Sequence, residues 1–116
     1  MAEAALNAMA QQLVDQIMMQ IVSGQRKAGD KVPAVRELAA EAGVNPNTMQ
    51  KALGQLEWEK LVYTVRTTGR YVTEDAALIQ ALRKELAEMR ISEFFAELNA
   101  IGSVQRLPAY HAILLA

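Results

Sequence analysis

The chain contains no cysteine, which excludes disulfide bonds, thiolate zinc sites and cysteine nucleophiles. Aromatic residues make up 5% of the sequence and there is one histidine, His111, so little material is present for acid–base catalysis near neutral pH. No apolar run approaches the roughly 18 residues of a membrane span, and the N-terminus lacks the layout of a signal peptide. We therefore expect a cytoplasmic protein with no membrane partner, no metal, no cofactor and no catalytic residues.

Charge is also sparse, and it is unevenly distributed. The 116 residues carry 12 Lys and Arg against 13 Asp and Glu, a net charge of −1. Residues 26–73 nevertheless hold eight cations and five acids, a surplus of +3, whereas the segments on either side are each at −2. A polyanionic partner would bind this middle block, although a surplus of this size is more often an ordinary solvated surface.

Apolar residues account for 52% of the chain, enough for one domain with a real core. Their three- and four-residue spacing predicts a first helix that ends at Ser23-Gly24. Lys31-Val32, before Pro33, could form a short edge strand. The apolar face of the first helix comprises Leu6, Met9, Leu13, Ile17 and Ile21, flanked by Ala10, Val14 and Met18.

Two further helices are predicted with a tight turn between them. Residues 34–42 form the first, which Gly43 ends. Asn45-Pro46 starts the second, because Asn caps free backbone N–H groups and Pro suits the first helical position; this helix runs to about Lys60. On the first of these helices one face carries Val35, Leu38, Ala39 and Ala42, and on the second the predicted buried residues are Met49, Ala52, Leu53 and Leu56.

A hairpin follows directly. Residues 61–66 and 70–73 are rich in β-branched and aromatic side chains, and residues 67–69 form a short loop between them. A helix, a helix–turn–helix and a hairpin in this order predict a winged helix–turn–helix. The fold class is thus mainly α with a small β-hairpin, and we place this domain at residues 1–74.

The remaining residues, 75–116, are predicted to form a helical dimerisation extension. Asp75 can cap a helical pattern that runs to about Ile101, but its apolar face switches sides along the way. Either the helix breaks near residues 90–92, or a single helix packs against two surfaces, the second belonging to the same chain or to another subunit. The tail from Ser103, which contains Pro108, is too short to form a core alone, so we expect it to pack against another part of the protein. The predicted dimer interface comprises Ile91, Phe94, Phe95, Leu98 and Ile101.

The second helix of a helix–turn–helix enters the major groove N-terminus first. Here that end carries Asn, Thr, Gln and Lys side chains that are expected to face outward, and Asn and Gln can bond adenine in a bidentate manner. Arg36 lies near the start of the preceding helix, residues 34–42. Arg66 and Arg70 lie on either side of the hairpin tip, where a wing would meet phosphates or the minor groove. Ordinary solvated helix residues are the alternative for Asn47, Thr48, Gln50 and Lys51 taken alone.

The stretch from Gly29 to Val72, GDKVPAVRELAAEAGVNPNTMQKALGQLEWEKLVYTVRTTGRYV, resembles the DNA-binding domain of GntR-family bacterial transcription regulators. Its VNPNT run and the short C-terminal part are most similar to the YtrA subfamily. The resemblance implies that Arg36 contacts phosphate. It also implies recognition-helix contacts from Asn45, Asn47, Thr48 and Gln50, and a wing tip at Thr68 and Gly69 that enters the minor groove.

Three positions depart from the family pattern. Ala34 stands where Ser is common, Gln50 where many relatives have Arg, and Thr67-Thr68 replace a glycine-and-basic wing tip. These departures imply weaker electrostatic affinity for DNA and a stiffer, less cationic wing.

The sequence therefore predicts a transcriptional regulator, expected to be a repressor, that binds a palindromic double-stranded DNA operator as a homodimer. The alternative is a winged-helix module for protein–protein interaction without DNA binding. A small-molecule inducer would have to bind at the dimer interface or beside it, since 42 residues after the wing leave no room for a ligand domain. Control by protein concentration alone is an equal alternative.

Overall fold

The computed structural model describes residues 2–101, so predictions for the tail, including Pro108 and His111, lie outside the described residues. Four α-helices and one two-stranded antiparallel sheet occur within that range. Their order confirms the predicted winged helix–turn–helix with a C-terminal helix. The elements are α1 (Ala2–Val22), α2 (Val35–Ala42), α3 (Pro46–Trp58), β1 (Val62–Val65), β2 (Gly69–Val72) and α4 (Ala76–Ile101).

Helix α3 forms the centre of the core, because α1, α2 and β1 all pack against it. Its four predicted core residues, Met49, Ala52, Leu53 and Leu56, are each at most 2% exposed. On the predicted face of α2, Leu38 and Ala39 are buried, Val35 is half-buried, and Ala42 at the end of the helix is exposed. Ala42 lines a cleft between α1 and α2.

The apolar face of α1 is only partly buried. Leu13, Ile17 and Ile21 belong to the core, but Leu6 and Met9 are 46% and 41% exposed. Both exposed residues lie in the first turns of α1, where Leu6 borders the start of α3 without being covered by it.

The hairpin pairs Val62 with Val72 and Val65 with Gly69, and Tyr63 stacks on Tyr71 across the strands with ring centroids 5.7 Å apart. The edge strand considered at Lys31-Val32 is present as a single bridge between Lys31 and Tyr71. Backbone hydrogen bonds extend this contact on both sides, from Val32 N–H to the Arg70 carbonyl at 2.9 Å and from Val72 N–H to the Asp30 carbonyl at 2.8 Å. Residues 29–32 thus cover the outer edge of β2.

Helix α4 begins as predicted, with the Asp75 carboxylate accepting from the Leu78 backbone N–H at 3.1 Å. It is one uninterrupted helix, so the alternative of a break near residues 90–92 was wrong. The chain divides into two units, one ending at Ala81 and one beginning at Leu82. The domain boundary at residue 74 stays a prediction. None of the helices described here has the length and apolar character that crossing a bilayer requires.

Helices α2 and α3 end in the same way, with a residue in the left-handed region. Gly43 directly follows α2 with φ +69°, and Lys60, which Glu59 separates from α3, has φ +67°. In each case the backbone N–H of the next residue donates a hydrogen bond to a carbonyl in the last turn of the helix. Val44 N–H donates to the Ala39 carbonyl and Leu61 N–H to the Leu56 carbonyl, both at 3.0 Å. Glycine adopts this conformation readily, whereas lysine is strained in it.

Replacing the strained residue should stabilise the protein. We expect Lys60→Gly to raise the free energy of unfolding by about 0.5–1 kcal/mol, because relief of the left-handed strain exceeds the added entropy of the unfolded chain. The matched variant Gly43→Ala should lower it by about 1 kcal/mol for the converse reason. A Cβ at Gly43 meets nothing within 4 Å, so that cost would be conformational.

Urea unfolding at one fixed protein concentration measures both changes. A destabilised Lys60→Gly variant would show that the lysine side chain stabilises this turn by more than its backbone strain costs.

Candidate nucleic-acid interface

The start of α3 is fixed by a side-chain cap. The Asn45 Oδ1 atom accepts from the Asn47 backbone N–H at 2.8 Å, and Pro46 occupies the first helical position. The cap orients the first turn, whose remaining N–H groups and positive dipole end suit an anion. Asn45 was predicted to contact DNA. Its oxygen accepts one bond within the protein, and its amide nitrogen is a donor that could serve such a contact.

Three of the four predicted recognition side chains, Asn47, Gln50 and Lys51, are exposed. The fourth, Thr48, is only 4% exposed, so the prediction that it faces outward was wrong. The cause is the width of the buried face. Thr48 lies one helical turn before Ala52, which is fully buried, and it joins that row of the core.

Lys51 is not simply a free surface cation. Its ammonium group donates to the Oδ1 atom of Asn7, a residue in the second turn of α1. The projecting start of α1 therefore borders the recognition helix. A depression of about 310 Å³ lies between them, lined by Leu6, Asn45, Asn47, Thr48 and Lys51. Sequence reasoning missed Asn7, because nothing local signals a contact across 44 residues.

Arg36 lies exposed in the first turn of α2. The residue before that helix, Ala34, provides no side-chain cap, as expected where the family commonly has Ser. The first backbone N–H groups of α2 therefore receive no side-chain acceptor from the N-cap position. A guanidinium beside these groups suits contact with a phosphate.

The wing tip is a tight turn. Thr68 N–H donates to the Val65 carbonyl at 3.1 Å, and the predicted contact residues Arg66 and Thr68 are exposed. Thr67 has φ +81°, a left-handed value that is rare for a β-branched residue, and Gly69 follows with φ +124°. The Thr-Thr tip is thus strained at its centre.

Arg70 is only partly available. Its side chain is 21% exposed, and its Nε lies 3.4 Å from the Oε1 atom of Glu57, itself 34% exposed. Thr64 donates its hydroxyl to the same carboxylate oxygen. Sequence reasoning missed Glu57, because an acidic side chain near the end of a helix is indistinguishable by sequence from solvated neighbours such as Glu59.

The wing and the start of α2 enclose a cleft of about 630 Å³. Two cations, Lys31 and Arg70, line it together with one acid, Glu37. Within residues 2–101, His, Asp and Glu side chains form no group of three or more that could hold a metal ion.

The predicted dimer stripe lies in the unit beginning at Leu82. Ile91 and Ile101 are 57% and 84% exposed, Phe94 and Phe95 are each 37% exposed, and Leu98 is half-buried. The two phenylalanine rings contact each other edge to face, with centroids 6.4 Å apart. This helix therefore presents a large apolar surface to solvent in the single chain.

Comparison with known proteins decides the family. Residues 9–72, more than half of the chain, match the family model "Bacterial regulatory proteins, gntR family". The chain belongs to the GntR family. It is 33% identical over 91 residues to the uncharacterized HTH-type transcriptional regulator YhcF of Bacillus subtilis, covering 78% of this chain and 75% of that one. It is 42% identical over 66 residues to the HTH-type transcriptional repressor YtrA of the same organism, covering 57% of this chain and 51% of YtrA.

Solved structures of GntR regulators agree. A GntR family transcriptional regulator from Listeria monocytogenes superposes with a TM-score of 0.77 at 38% identity, covering 89% of this chain and 91% of that one. The AraR DNA-binding domain in complex with operator ORR3 superposes with a TM-score of 0.53 at 31% identity, covering 56% of this chain and 78% of that one. These matches confirm the YtrA-like GntR resemblance and the winged-helix fold.

The Asn45 cap gives a prediction that needs no DNA. We expect Asn45→Ala to lower the free energy of unfolding by about 1 kcal/mol, because the Asn47 N–H loses its acceptor. Asn45→Ser retains a capping oxygen and should be close to wild type. Urea unfolding tests both variants. Equal loss in the two would mean that the cap does not hold the recognition helix.

Proposed function

We propose that this GntR-family regulator is a homodimeric repressor that binds a palindromic DNA operator through α3 and the wing. The observation that carries the proposal is the pair of exposed amide side chains, Asn47 and Gln50, at the start of the second helix of the motif. Amide side chains in that position read adenine edges in the major groove. The similarity to the transcriptional repressor YtrA and to the AraR domain bound to an operator supports it.

The proposal divides the contact residues by what they touch. Asn47 and Gln50 read bases, whereas Arg36, Lys51 and the wing residues Arg66, Thr68, Gly69 and Arg70 meet the sugar–phosphate backbone or the minor groove. Phosphate contacts determine how tightly the protein binds any DNA, and base contacts determine which sequence it prefers. The two groups can therefore be separated experimentally.

We expect Arg36→Ala to weaken binding to all duplexes by the same factor and to reduce the slope of log K against log salt by about one phosphate contact. Gln50→Ala should instead remove about 1–3 kcal/mol of discrimination at one base pair and leave binding to random DNA unchanged. Lys84→Ala, which removes a cation from α4, is the control and should change neither quantity.

Fluorescence anisotropy over a salt series provides the measurement, with duplexes that the wild type enriches from a random pool and random duplexes of equal length. If Arg36→Ala changed sequence preference and Gln50→Ala did not, the assigned roles would be reversed. A wild type that bound no duplex, even at low salt, would favour the protein–protein interaction alternative.

The homodimer is proposed from the apolar stripe on α4. An isolated chain would expose Ile91, Phe94, Phe95 and Ile101 to water, and an apolar patch of this kind commonly marks a protein interface. A two-fold dimer also presents two recognition helices, which is what a palindromic operator requires. Such a dimer places the same stripe of both copies face to face.

Sedimentation at micromolar concentration should give twice the chain mass of 12.8 kDa. We expect Phe94→Asp to dissociate the dimer, because a carboxylate would be buried in the interface without a partner, and to weaken operator binding. Ser92→Asp adds the same charge roughly on the opposite side of the helix and should remain a dimer. A monomeric wild type, or equal dissociation of both variants, would contradict the proposed interface.

The remaining parts of the proposal concern cellular context. The protein would act in the cytoplasm, as a regulator without enzymatic activity. An inducer, if the regulator has one, would act by changing the spacing of the two recognition helices, since a dimer reads half-site geometry.

A further inference from the structure

Glu57 connects three elements of the winged domain. It lies in the last turn of α3, and its Oε1 atom accepts from the Thr64 hydroxyl on β1 and from Arg70 Nε on β2, the latter at 3.4 Å. Thr64 and Arg70 are direct partners in the hairpin register. One carboxylate oxygen therefore holds both strands of the wing at the same level.

We infer that Glu57 is a positioning residue for DNA binding, which fixes the wing and the Arg70 guanidinium relative to the recognition helix. The inference rests on the proposed function, since it assigns the orientation of a proposed DNA contact. Glu57 itself carries the charge that DNA repels, so it acts through Arg70 and the wing and makes no favourable contact of its own.

The need for such a residue follows from how little of the wing is buried. On β1 only Val62 is buried, and on β2 only Val72, so the core anchors one end of the hairpin. A two-stranded hairpin is marginal without support from other elements. The Thr64–Arg70 pair comes immediately before the pair that closes the turn. Val32 N–H supports the Arg70 backbone at the edge of β2, and the contact with Glu57 joins the side chains of this outer half to α3.

The contact also determines how Arg70 is presented. The pair is partly buried, at 21% and 34% exposure, so solvent screens it less than an ion pair on the open surface. Glu57 engages the Nε atom, and the same side chain lines the cleft at the start of α2. A planar guanidinium held by one of its nitrogens has its other N–H groups in fixed directions, which favours directed contact with phosphate.

Two substitutions separate positioning from charge. Glu57→Gln and Glu57→Ala remove the same negative charge, but only Gln retains an oxygen that can accept from Thr64 and Arg70. We expect Glu57→Ala to bind the duplex enriched from a random pool at least about threefold more weakly than Glu57→Gln does. An effect of this size corresponds to the low end of the interaction energies between residues in contact. The neighbouring pair Glu59→Gln and Glu59→Ala is the matched control and should show no difference.

Two further measurements test how Glu57 acts. In an Arg70→Ala background the difference in DNA affinity between Glu57→Ala and Glu57→Gln should become smaller, because the side chain that Glu57 positions has been removed. In the free protein, NMR should show slower hydrogen exchange of Arg70 Nε–H in the wild type than in Glu57→Ala, with Glu59→Ala unchanged. This second result does not depend on DNA, and the chemical-shift dispersion of the backbone amides in the same spectra checks that each variant is folded.

The outcomes distinguish a failure of the proposed DNA-binding function from a failure of the positioning role of Glu57. If the wild type binds neither enriched nor random duplex, the proposed function fails and the DNA role of Glu57 fails with it. If the wild type binds and the two Glu57 variants bind equally, the positioning role alone is overturned. The same conclusion follows if the Gln–Ala difference is unchanged when Arg70 is replaced, or if Arg70 Nε–H exchanges equally fast in the wild type and in Glu57→Ala.

Discussion

The burial of one face of α3 is the constraint on which the winged domain depends. Leu53 and Leu56 have no exposed surface, and each contributes roughly 1.5–3 kcal/mol through removal from water. Because α1, α2 and β1 all meet this face, its position determines where the opposite face points. The outward residues Asn47 and Gln50 are thus aimed by the core behind them. One helix thus supplies the centre of the core and presents the proposed contact residues.

Local signals in the sequence were sufficient for most of the fold. The Asn45-Pro46 start, the Gly43 stop and the Asp75 cap each describe chemistry within a few residues, and all three are present in the structure. Periodicity identified the core of α3 but placed its boundary one residue too narrowly, since Thr48 is buried as well. Burial at the edge of a helical face depends on the partner surface, which periodicity does not describe.

The surroundings of the candidate site were less accessible to sequence reasoning. Lys51 and Arg70 were recognised as cations, but their partners Asn7 and Glu57 are brought to them by packing over long stretches of chain. The same applies to Leu6, which stays partly exposed beside the start of α3 although its spacing places it on the apolar face of α1. Residue type and spacing indicate what a side chain can bind, whereas the neighbours that orient it emerge only once the elements are assembled.

The bridge between Lys31 and Tyr71 has a consequence for self-association of the folded protein. Unpaired strand edges are templates on which other chains can add, and a two-stranded hairpin has two such edges. Residues 29–32 occupy the edge of β2 with backbone hydrogen bonds of their own. The outer edge of β1 is four residues long and ends next to Arg66. A wing of this construction can remain extended and accessible, as contact with a large polyanion requires, with little tendency to join the hairpins of other molecules into a growing sheet.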